Sequence, residues 1–545
     1  MSHISQAKRT LVQEHTGSVA IRSDCLTSIA YTLLTMSFPL GVQAALGLVV
    51  LVGIIHFGLQ GRQFRRGQLP PGPRQLPILG NVAQMTLEFP EKRFAQWRET
   101  YGDIVYLKIF NTHVLVINSV TAARELLGKR SFKYSDRPHL VLLTEMLGWE
   151  HDFGLLPYNE EVRKHRRWMH LPFFSKTSLS AFAEVQRREA VTLLTGLLRD
   201  PKDFGTHIHR YSASTMLQCL YGHTVASSDD EYLHLIEKAL DETMGSSAPG
   251  AAPVDFIPML KYIPAWVPGA RFKRTALWVK TVVQDAARRT YALAESKLSE
   301  DTGAHFVLPE LIKASSAKGL LEHERPEIMM FGLTLYAAGT DTTQTVVMVF
   351  LLAMVLNPDV YAKAQEEMDR VVGTSRIPTI EDRPALPYLE CILKETYRFS
   401  CPAPLGMPHK NCEDDEYRGY WIPKGTTVVA NLWFMLHDPA TYPDPDAFRP
   451  ERFNGLNDDQ EDPRNIVFGF GRRICPGRRF ADIGIWHAMA NIITTFDVRK
   501  TRDAMGDEIT PPGTFSSGLV NHPHKFQCSI TPRSKQATEL ILGGV

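Results

Sequence analysis

The sequence predicts a mainly helical globular protein with small β-sheets, preceded by a single N-terminal transmembrane helix. Three features predict it: an uncharged apolar run from Phe38 to Leu59, long stretches of helical periodicity after residue 320, and short β-branched segments. The chain has 545 residues, of which 44% are hydrophobic, so it can bury a large core. We find no linker after about residue 80 and therefore expect one large domain.

The apolar run from Phe38 to Leu59 carries no Asp, Glu, Lys or Arg, and it is long enough to cross a bilayer as one helix. Four arginines follow it closely (Arg62, Arg65, Arg66 and Arg74), whereas only Arg22 lies comparably near on the other side. Because positive charge collects on the cytosolic side, this asymmetry predicts a cytosolic body. A buried core helix is the alternative interpretation. The predicted parts are an N-terminal lumenal extension (1–37), the anchor (38–59), a basic, proline-rich linker (60–80) and the body (81–545).

Within the body, IVYLKIFNTHVLVIN (Ile104 to Asn118) predicts a β-hairpin with Asn111 and Thr112 at its turn. Helical patterns dominate the rest of the chain, notably over Pro326 to Leu356, Asp359 to Val372 and Tyr388 to Phe399. Short strands are predicted within Thr426 to Asn431 and within Lys525 to Pro532.

Composition excludes several classes of protein. The formal net charge is +1, so no global basic field would attract nucleic acid. The seven cysteines are odd in number and widely spaced, and no CxxC occurs. Neither a disulfide framework nor a structural zinc site is therefore indicated, and a reducing compartment is the natural interpretation.

The segment Val254 to Arg274 is rich in aromatic residues and proline and ends in a basic cluster. Two interpretations stay open. It forms either a buried loop or a surface that dips into the lipid interface. In the second case the inserted side chains are Phe256, Ile257, Tyr262, Ile263 and Trp266.

A lone cysteine stands in FGFGRRICPG, residues 468–477. Proline suits the first position of a helix, so Cys475 is expected at a helix N-terminus, where free N–H groups lower the pKa of a thiol. Gly469 and Gly471 would let the backbone approach a flat partner, and the neighbouring arginines can bind carboxylates. A thiolate, a flat partner and carboxylates together describe haem. An inert buried cysteine is the alternative, but it explains neither the glycines nor the arginines.

This segment resembles the haem-binding signature of the cytochrome P450 family, with Phe468, Gly471, Arg473, Cys475 and Gly477 at the pattern positions. Other matches extend the resemblance over nearly the whole chain after residue 70. The resemblance implies that Cys475 is the axial ligand of the iron in haem b, iron protoporphyrin IX.

A second match is AAGTDTT, Ala337 to Thr343, inside the longest predicted helix. Gly339 costs a helix about 1 kcal/mol relative to alanine, and room beside an opened helical turn is one reason for it. Asp341 and Thr342 supply an acid and a hydroxyl that can relay protons. A helix cap or an exposed polar turn is the alternative, which the apolar flanks disfavour. The resemblance implies that this helix crosses the distal face of the haem and that both residues are catalytic.

Further matches imply a structural triad and a propionate site. Glu395 and Arg398, in KETYRF, share one helical face, and the resemblance pairs them with Arg452 in FRPERF. It also implies that Arg166, His409 and Arg473 bind the propionates. Val162 occupies a position where the family has tryptophan, and Trp168 is out of phase to replace it.

The basic residues around these motifs form either a solvated face or, as the resemblance implies, the docking face for an acidic reductase. They are Arg163, Lys164, Arg167, Arg472, Arg478 and Arg479.

The resemblance implies a haem-thiolate monooxygenase on the cytosolic face of the endoplasmic reticulum, held there by a single span. It would oxidise a lipophilic small molecule with O2 and with NADPH electrons from a separate NADPH-cytochrome reductase, since no dinucleotide-binding fingerprint occurs. The segment Pro404 to Phe453 is similar to fungal enzymes of secondary metabolism, which favours a terpenoid or polyketide substrate. Two alternatives are a reductase-independent haem-thiolate isomerase or dehydratase and a non-enzymatic haem-binding membrane protein. The candidate pocket segments are Val141 to Phe153, Phe331 to Ala338, Ala403 to Met407 and Phe515 to Val520.

Overall fold

The computed structural model describes residues 67–227, 229–246, 252–299, 305–455 and 461–543. The predicted lumenal extension and transmembrane anchor lie outside these residues, as does most of the predicted linker. The described chain divides into a small unit of residues 67–69 and 416–421 and a large unit that holds the rest. All the predicted site residues belong to the large unit.

Helices make up most of the large unit, as the sequence predicts. The α-helices are α1 (Pro90–Tyr101), α2 (Val120–Ala123), α3 (Ser131–Tyr134), α4 (Glu160–Phe174), α5 (Lys176–Arg199), α6 (Phe204–Tyr221), α7 (Glu231–Ser246), α8 (Pro253–Phe256), α9 (Arg271–Ser296), α10 (Val307–Ala317), α11 (Leu321–Leu356), α12 (Pro358–Val371), α13 (Pro387–Phe399), α14 (Leu432–His437), α15 (Arg464–Val467), α16 (Arg478–Thr495) and α17 (Lys535–Gly543).

The strands are short. They are β1 (Ile104–Ile109), β2 (Thr112–Ile117), β3 (His409–Lys410), β4 (Asp415–Tyr417), β5 (Tyr420–Ile422), β6 (Thr427–Ala430), β7 (Phe496–Arg499), β8 (Thr501–Arg502), β9 (Glu508–Ile509) and β10 (Ser529–Pro532). The largest sheet has the order β1-β2-β6-β3, in which β2 and β6 run parallel and the other neighbours antiparallel. A mainly helical protein with small sheets is therefore confirmed.

The predicted hairpin is present, but its turn is shifted by one residue. Ile109 still pairs with Thr112, so the turn consists of Phe110 and Asn111. Phe110 has a φ of 50°, in the left-handed region that a two-residue hairpin turn uses. The sequence points to Asn111 because asparagine tolerates that region better than phenylalanine does.

The longest helix, α11, begins at Leu321 rather than at the predicted Pro326 and ends, as predicted, at Leu356. Among the described residues it is the one helix long and apolar enough to span a membrane, with a mean hydropathy of 1.5 over its most apolar stretch. However, 67% of that stretch is buried inside the protein, which is typical of a core helix. Helix α6 packs against it, and both contribute to one large hydrophobic cluster.

The segment 254–274 is mostly at the surface. It contains the end of α8, a 3₁₀ turn at Pro258–Tyr262 and the start of α9. Of the five side chains predicted to meet lipid, Ile257, Tyr262 and Trp266 are exposed, the last with 81% of its surface accessible. Phe256 and Ile263 are half-buried, and the Phe256 ring lies 5.6 Å from the Phe110 ring. Burial therefore explains Phe256 but not the three exposed side chains.

Candidate functional site

Cys475 lies at the end of the loop 468–477, directly before helix α16. Its N–H donates to the carbonyl of Phe468 over 2.8 Å. Gly471 has a φ of 60°, and a Cβ there would lie 1.9 Å from the carbonyl oxygen of Leu127, so no other residue fits. Its close neighbour is thus the chain itself, not the expected flat partner. Gly469, with a φ of 75°, has open space beside it, so a flat group could approach the loop at that point.

The start of helix α16 differs from the prediction. Gly477 is the N-cap and Arg478 the first helical residue, so Pro476 forms a turn ahead of the helix. The sequence favours Pro476 because its fixed φ suits a first helical position, but the same φ suits a turn equally well. The N–H groups of Gly477 and Arg478 still reach the sulfur of Cys475.

The predicted lowering of the thiol pKa is wrong. Burial raises the pKa of Cys475, and the Gly477 N–H together with the charges of Arg166 and Arg478 offsets only part of that effect. By accessible surface the residue is half-buried, so its sulfur is not fully enclosed by the chain. A cation bonded to the sulfur would supply the stabilisation that the thiolate lacks.

Three arginines converge near this cysteine. Arg166 donates to the carbonyl of Ile474 over 2.8 Å. Arg473 donates to three carbonyls, those of Ser135, Phe153 and Leu156. Burial and the charge of Arg166 lower the pKa of Arg473 to about 10. The sequence predicted these two arginines to lie together, and they do.

Arg137, which the sequence analysis missed, is the third. It is buried, and it donates to the carbonyls of Gly154, Met407 and Pro408. Burial and the nearby Arg473 lower the pKa of Arg137 to about 9. Its position in YSDRP carries no spacing that marks a site, because its partners are distant in sequence.

His409 completes the cluster. Its Nδ1–H donates to the carbonyl of Tyr134 over 2.7 Å, which leaves Nε2 for another partner. Burial and the charge of Arg137 hold the pKa of His409 well below its usual range. The imidazole is therefore neutral at physiological pH, as expected where three cations already repel one another.

The middle of helix α11 faces open space. Ala338 is exposed, and Ala337, Gly339, Asp341 and Thr342 are half-buried, although the helix is otherwise largely buried. Thr342 Oγ1 donates to the carbonyl of Ala338 over 2.6 Å, and the helix is α-helical throughout. Ala338 and Thr342 lie one turn apart, so they share the face that borders this space.

Gly339 has a different purpose from the predicted one. A Cβ on this residue would lie 2.5 Å from the sulfur of Met216 in helix α6. An alanine here would force the Met216 side chain to move, and the helix shows no opened turn. The sequence could not reveal this contact, because Met216 is far away along the chain.

Asp341 contacts a histidine that the sequence analysis also missed. His522 Nε2 lies 3.4 Å from Asp341 Oδ1, and His522 Nδ1 lies 2.9 Å from Thr345 Oγ1. Both Asp341 and His522 are about two-fifths exposed, at 43% and 41% of their side-chain surface. Water can therefore reach the pair.

The predicted triad of Glu395, Arg398 and Arg452 is assembled. Arg398 forms two hydrogen bonds to the carboxylate of Glu395, and Arg452 Nε lies 3.0 Å from the same carboxylate. Arg398 also donates to three carbonyls, those of Leu436, Pro445 and Ala447. The carboxylate thus anchors the loop before Arg452 to helix α13.

Comparison with known proteins decides the family. The family model described as "Cytochrome P450" matches residues 70–530.

The chain belongs to the cytochrome P450 family.

Its relatives include two monooxygenases of the fungus Postia placenta. Cytochrome P450 monooxygenase 176 is 41% identical, over 88% of this chain and 93% of its own length. Cytochrome P450 monooxygenase 136 is 40% identical, over 93% of this chain and 97% of its own length. Cytochrome P450 monooxygenase COX2 of Coprinopsis cinerea is 36% identical over 90% of this chain and 94% of its own length. The protein is thus a cytochrome P450 monooxygenase, a class that uses a haem, O2, a redox partner and a small-molecule substrate.

The residues of this P450 fit a haem. The guanidinium groups of Arg137, Arg166 and Arg473 are largely buried, and their short hydrogen bonds go to neutral carbonyls. Asp136 and Asp152 offset part of the charge of these three arginines. Uncompensated buried charge is costly, so the remaining positive charge suits the carboxylates of a haem. The sulfur of Cys475 and the open space beside Gly469 supply the remaining features.

Two further predictions concern helix α4. Val162 is fully buried, and Trp168 stacks on His165 and meets the ring of Phe331 edge-on, so its indole belongs to a core cluster. Among the basic residues, Arg163 and Arg167 line one surface groove with Arg166, Tyr158 and His170. Lys164 instead pairs with Glu327 over 2.7 Å. Of the six basic residues predicted from sequence to form a docking face, Arg163 and Arg167 thus share one groove, and Lys164 forms an ion pair.

Proposed function

We propose that this P450 holds haem b through the sulfur of Cys475 and hydroxylates or otherwise oxidises a lipophilic small molecule. The observation that carries the proposal is the convergence of three carbonyl-bound arginines beside a half-buried cysteine. When bound, the haem would activate O2 and pass one oxygen atom to the substrate. The protein's own residues bind, orient and supply protons.

Binding is divided between the two ends of the site. The Cys475 sulfur would bond the iron, and the N–H groups of Gly477 and Arg478 would stabilise its negative charge. Arg137, Arg166 and Arg473 would receive the propionates by charge-assisted hydrogen bonds. His409 can donate from Nε2 only when it carries a second proton, which a neighbouring carboxylate would favour. Phe468 would pack against the haem beside Cys475.

Thr342 and Asp341, on helix α11, would deliver protons on the side of the site opposite Cys475. The Thr342 hydroxyl gives its one proton to the carbonyl of Ala338, so its oxygen is left as an acceptor that can hold a water molecule. Asp341, the next residue, is accessible to water and can pass a proton to that molecule. Thr342 would thus position water, and Asp341 would supply the acid.

The substrate would occupy an apolar pocket over helix α11. Most of the predicted segment 141–149 is buried and apolar, and the exposed Ala338 and half-buried Ala337 lie on helix α11. Such a lining favours a lipophilic molecule, and resemblance to fungal enzymes favours a terpenoid or polyketide of secondary metabolism.

Two surfaces support the proposed location and redox partner. The exposed apolar side chains Ile257, Met259, Tyr262 and Trp266 would enter the lipid interface of the endoplasmic reticulum. The groove lined by Arg163 and Arg167 would receive an acidic NADPH-cytochrome reductase. Deletion of residues 1–66 should release much of the protein from the integral membrane fraction while leaving residual binding.

Turnover tests the proposed function. Membranes that contain this P450 and NADPH-cytochrome reductase should consume NADPH faster when a terpenoid or polyketide substrate is added, with one oxygenated product formed per coupled cycle. Product formation without NADPH would instead support the isomerase or dehydratase, and haem binding without any turnover would support the carrier. Thr342→Ala should keep its haem but divert NADPH to hydrogen peroxide. Unchanged yield per NADPH would remove Thr342 from the mechanism.

A further inference from the structure

His522 reaches Asp341 from a loop far along the chain. The loop 514–524 is a small hairpin, in which Ser516 N–H donates to the carbonyl of His522 and His524 N–H donates to that of Thr514. The N–H of His522 donates in turn to Ser516 Oγ over 3.1 Å. These bonds hold the backbone of His522 in place, so its imidazole meets helix α11 at a fixed position.

The hydrogen bonds of Thr345 determine which imidazole nitrogen carries a proton. Thr345 is fully buried, and its Oγ1 lies 2.8 Å from the carbonyl of Asp341 and 2.9 Å from His522 Nδ1. The carbonyl can only accept, so the single hydroxyl proton must point to it. The bond to His522 then requires a proton on Nδ1.

The contact with Asp341 favours a second proton. With Nδ1 protonated, a neutral His522 would turn the lone pair of Nε2 toward the carboxylate at 3.4 Å. Two lone pairs at that distance repel each other, and a proton placed between Nε2 and Oδ1 removes this repulsion. Either His522 is a cation beside an ionised Asp341, or a neutral His522 accepts from a protonated Asp341. Both arrangements store one proton in the pair.

We propose that His522 is a positioning residue that keeps Asp341 supplied with a proton. The inference rests on the proposed proton-donating function of Asp341. In one cycle Asp341 gives up the proton that lay between Nε2 and Oδ1. His522 is then neutral, with its remaining proton on Nδ1. Water at the exposed edge of the imidazole then returns one proton to Nε2, so the number of protons balances.

Other charged groups surround the pair. His209, on helix α6, lies near enough to Asp341 for the carboxylate charge to raise its pKa. It also contacts Glu237 of α7 and Gln344 of α11. Burial lowers and the Glu237 contact raises the pKa of His209, with a net increase. From α1, Glu91 accepts from Asn521, the neighbour of His522. His524 bonds Thr514 at the exposed edge of the same loop.

A pair of matched variants tests the inference. His522→Gln keeps an N–H donor for Asp341 but has no acidic proton, whereas His524→Gln changes the same residue type in the same loop away from Asp341. With a substrate that supports turnover, His522→Gln should lower product per NADPH at least about tenfold, since positioned acids contribute that much or more. His524→Gln should leave it unchanged. A merely structural His522 would tolerate glutamine, and unchanged product per NADPH in His522→Gln would overturn the inference.

Infrared difference spectra give a readout that does not depend on turnover. At neutral pH, the carboxyl and carboxylate bands of Asp341, identified by their loss in Asp341→Asn, report the proton that it shares with His522. In His522→Gln these bands should shift in frequency, and in His524→Gln they should match those of the unaltered protein. An Asp341 band that ignores His522→Gln would contradict the shared proton. If Asp341→Asn leaves product per NADPH unchanged, the proposed function of Asp341 fails instead.

Discussion

Arg398 donates two hydrogen bonds, of 2.8 and 2.9 Å, to the carboxylate of Glu395, and both side chains are fully buried. A buried pair of this kind is costly to break, because removing one partner leaves an uncompensated charge. The pair also connects helix α13 to the chain around Arg449, whose N–H donates to Glu395 over 2.7 Å.

Substitution of Glu395 should therefore destabilise the P450 severely. We expect Glu395→Gln to lower the free energy of unfolding by about 3–5 kcal/mol. The matched control is Glu184→Gln, because Glu184 pairs with Arg187 at the same i,i+3 spacing but on the surface, with 62% and 39% of the side chains exposed. That change should cost no more than about 0.5 kcal/mol. Thermal unfolding of both variants measures the difference, and equal losses would contradict the structural role of the triad.

Gly339 should behave as a packing residue. Gly339→Ala should destabilise the protein by about 1–3 kcal/mol, because its Cβ collides with the sulfur of Met216. In a Met216→Ala background the same change should be neutral or stabilise by up to about 1 kcal/mol, the helix propensity gained. Gly245→Ala, in a helix with open space around the new Cβ, serves as the control. Unfolding measurements on this double-mutant cycle would refute the packing role if no coupling between Gly339 and Met216 appeared.

These residues mark how far sequence reasoning reaches. The hairpin at 104–117, the helix that ends at Leu356 and the pairing of Glu395 with Arg398 follow from local periodicity and spacing. Met216 beside Gly339 and His522 beside Asp341 do not, because side chains from distant segments meet only when the chain is folded. The prediction that the pKa of Cys475 is lowered was wrong for the same reason. The adjacent N–H groups can be read locally, but the burial that outweighs them is set by the whole fold.

Arg137 should hold the haem although no motif marks it. Arg137→Gln removes a charge that we propose binds a propionate, so the haem should dissociate about tenfold to a hundredfold faster, from a charged hydrogen bond of about 1.5–3 kcal/mol. Arg137→Lys keeps the charge and should lose less. Transfer of haem to an excess of apomyoglobin gives the rate. If both variants release haem as slowly as the unaltered protein, the carbonyl contacts of Arg137 are purely structural.

His487 should make the P450 sensitive to acid. It is buried, and neither ring nitrogen has a partner among the described residues. Burial, followed by the charges of Arg187 and Arg383, lowers the pKa of His487 to about 4. In the unfolded chain His487 binds a proton near pH 6.5, whereas in the folded protein it does so only near pH 4. The contribution of neutral His487 to the free energy of unfolding is therefore complete above pH 6.5, and about 3 kcal/mol is lost as the pH falls toward 4.

Urea unfolding at neutral and at acidic pH tests this expectation. His487→Leu removes the titrating group and should make the loss of stability on acidification smaller by that amount. A suitable control is His305→Leu, because the side chain of His305 is exposed to solvent. An identical acid profile for His487→Leu and the unaltered protein would contradict the prediction.

The most direct test of the account is the absorption spectrum of the reduced, carbon-monoxide-bound protein. If the sulfur of Cys475 bonds the iron, the unaltered protein should show the strongly red-shifted Soret band of a thiolate-ligated haem, and Cys475→Ala should lose it. Cys391→Ala, a substitution at another described cysteine, should keep that band. A Cys475→Ala protein that still binds haem and retains the red-shifted band would contradict the proposal that Cys475 is the ligand.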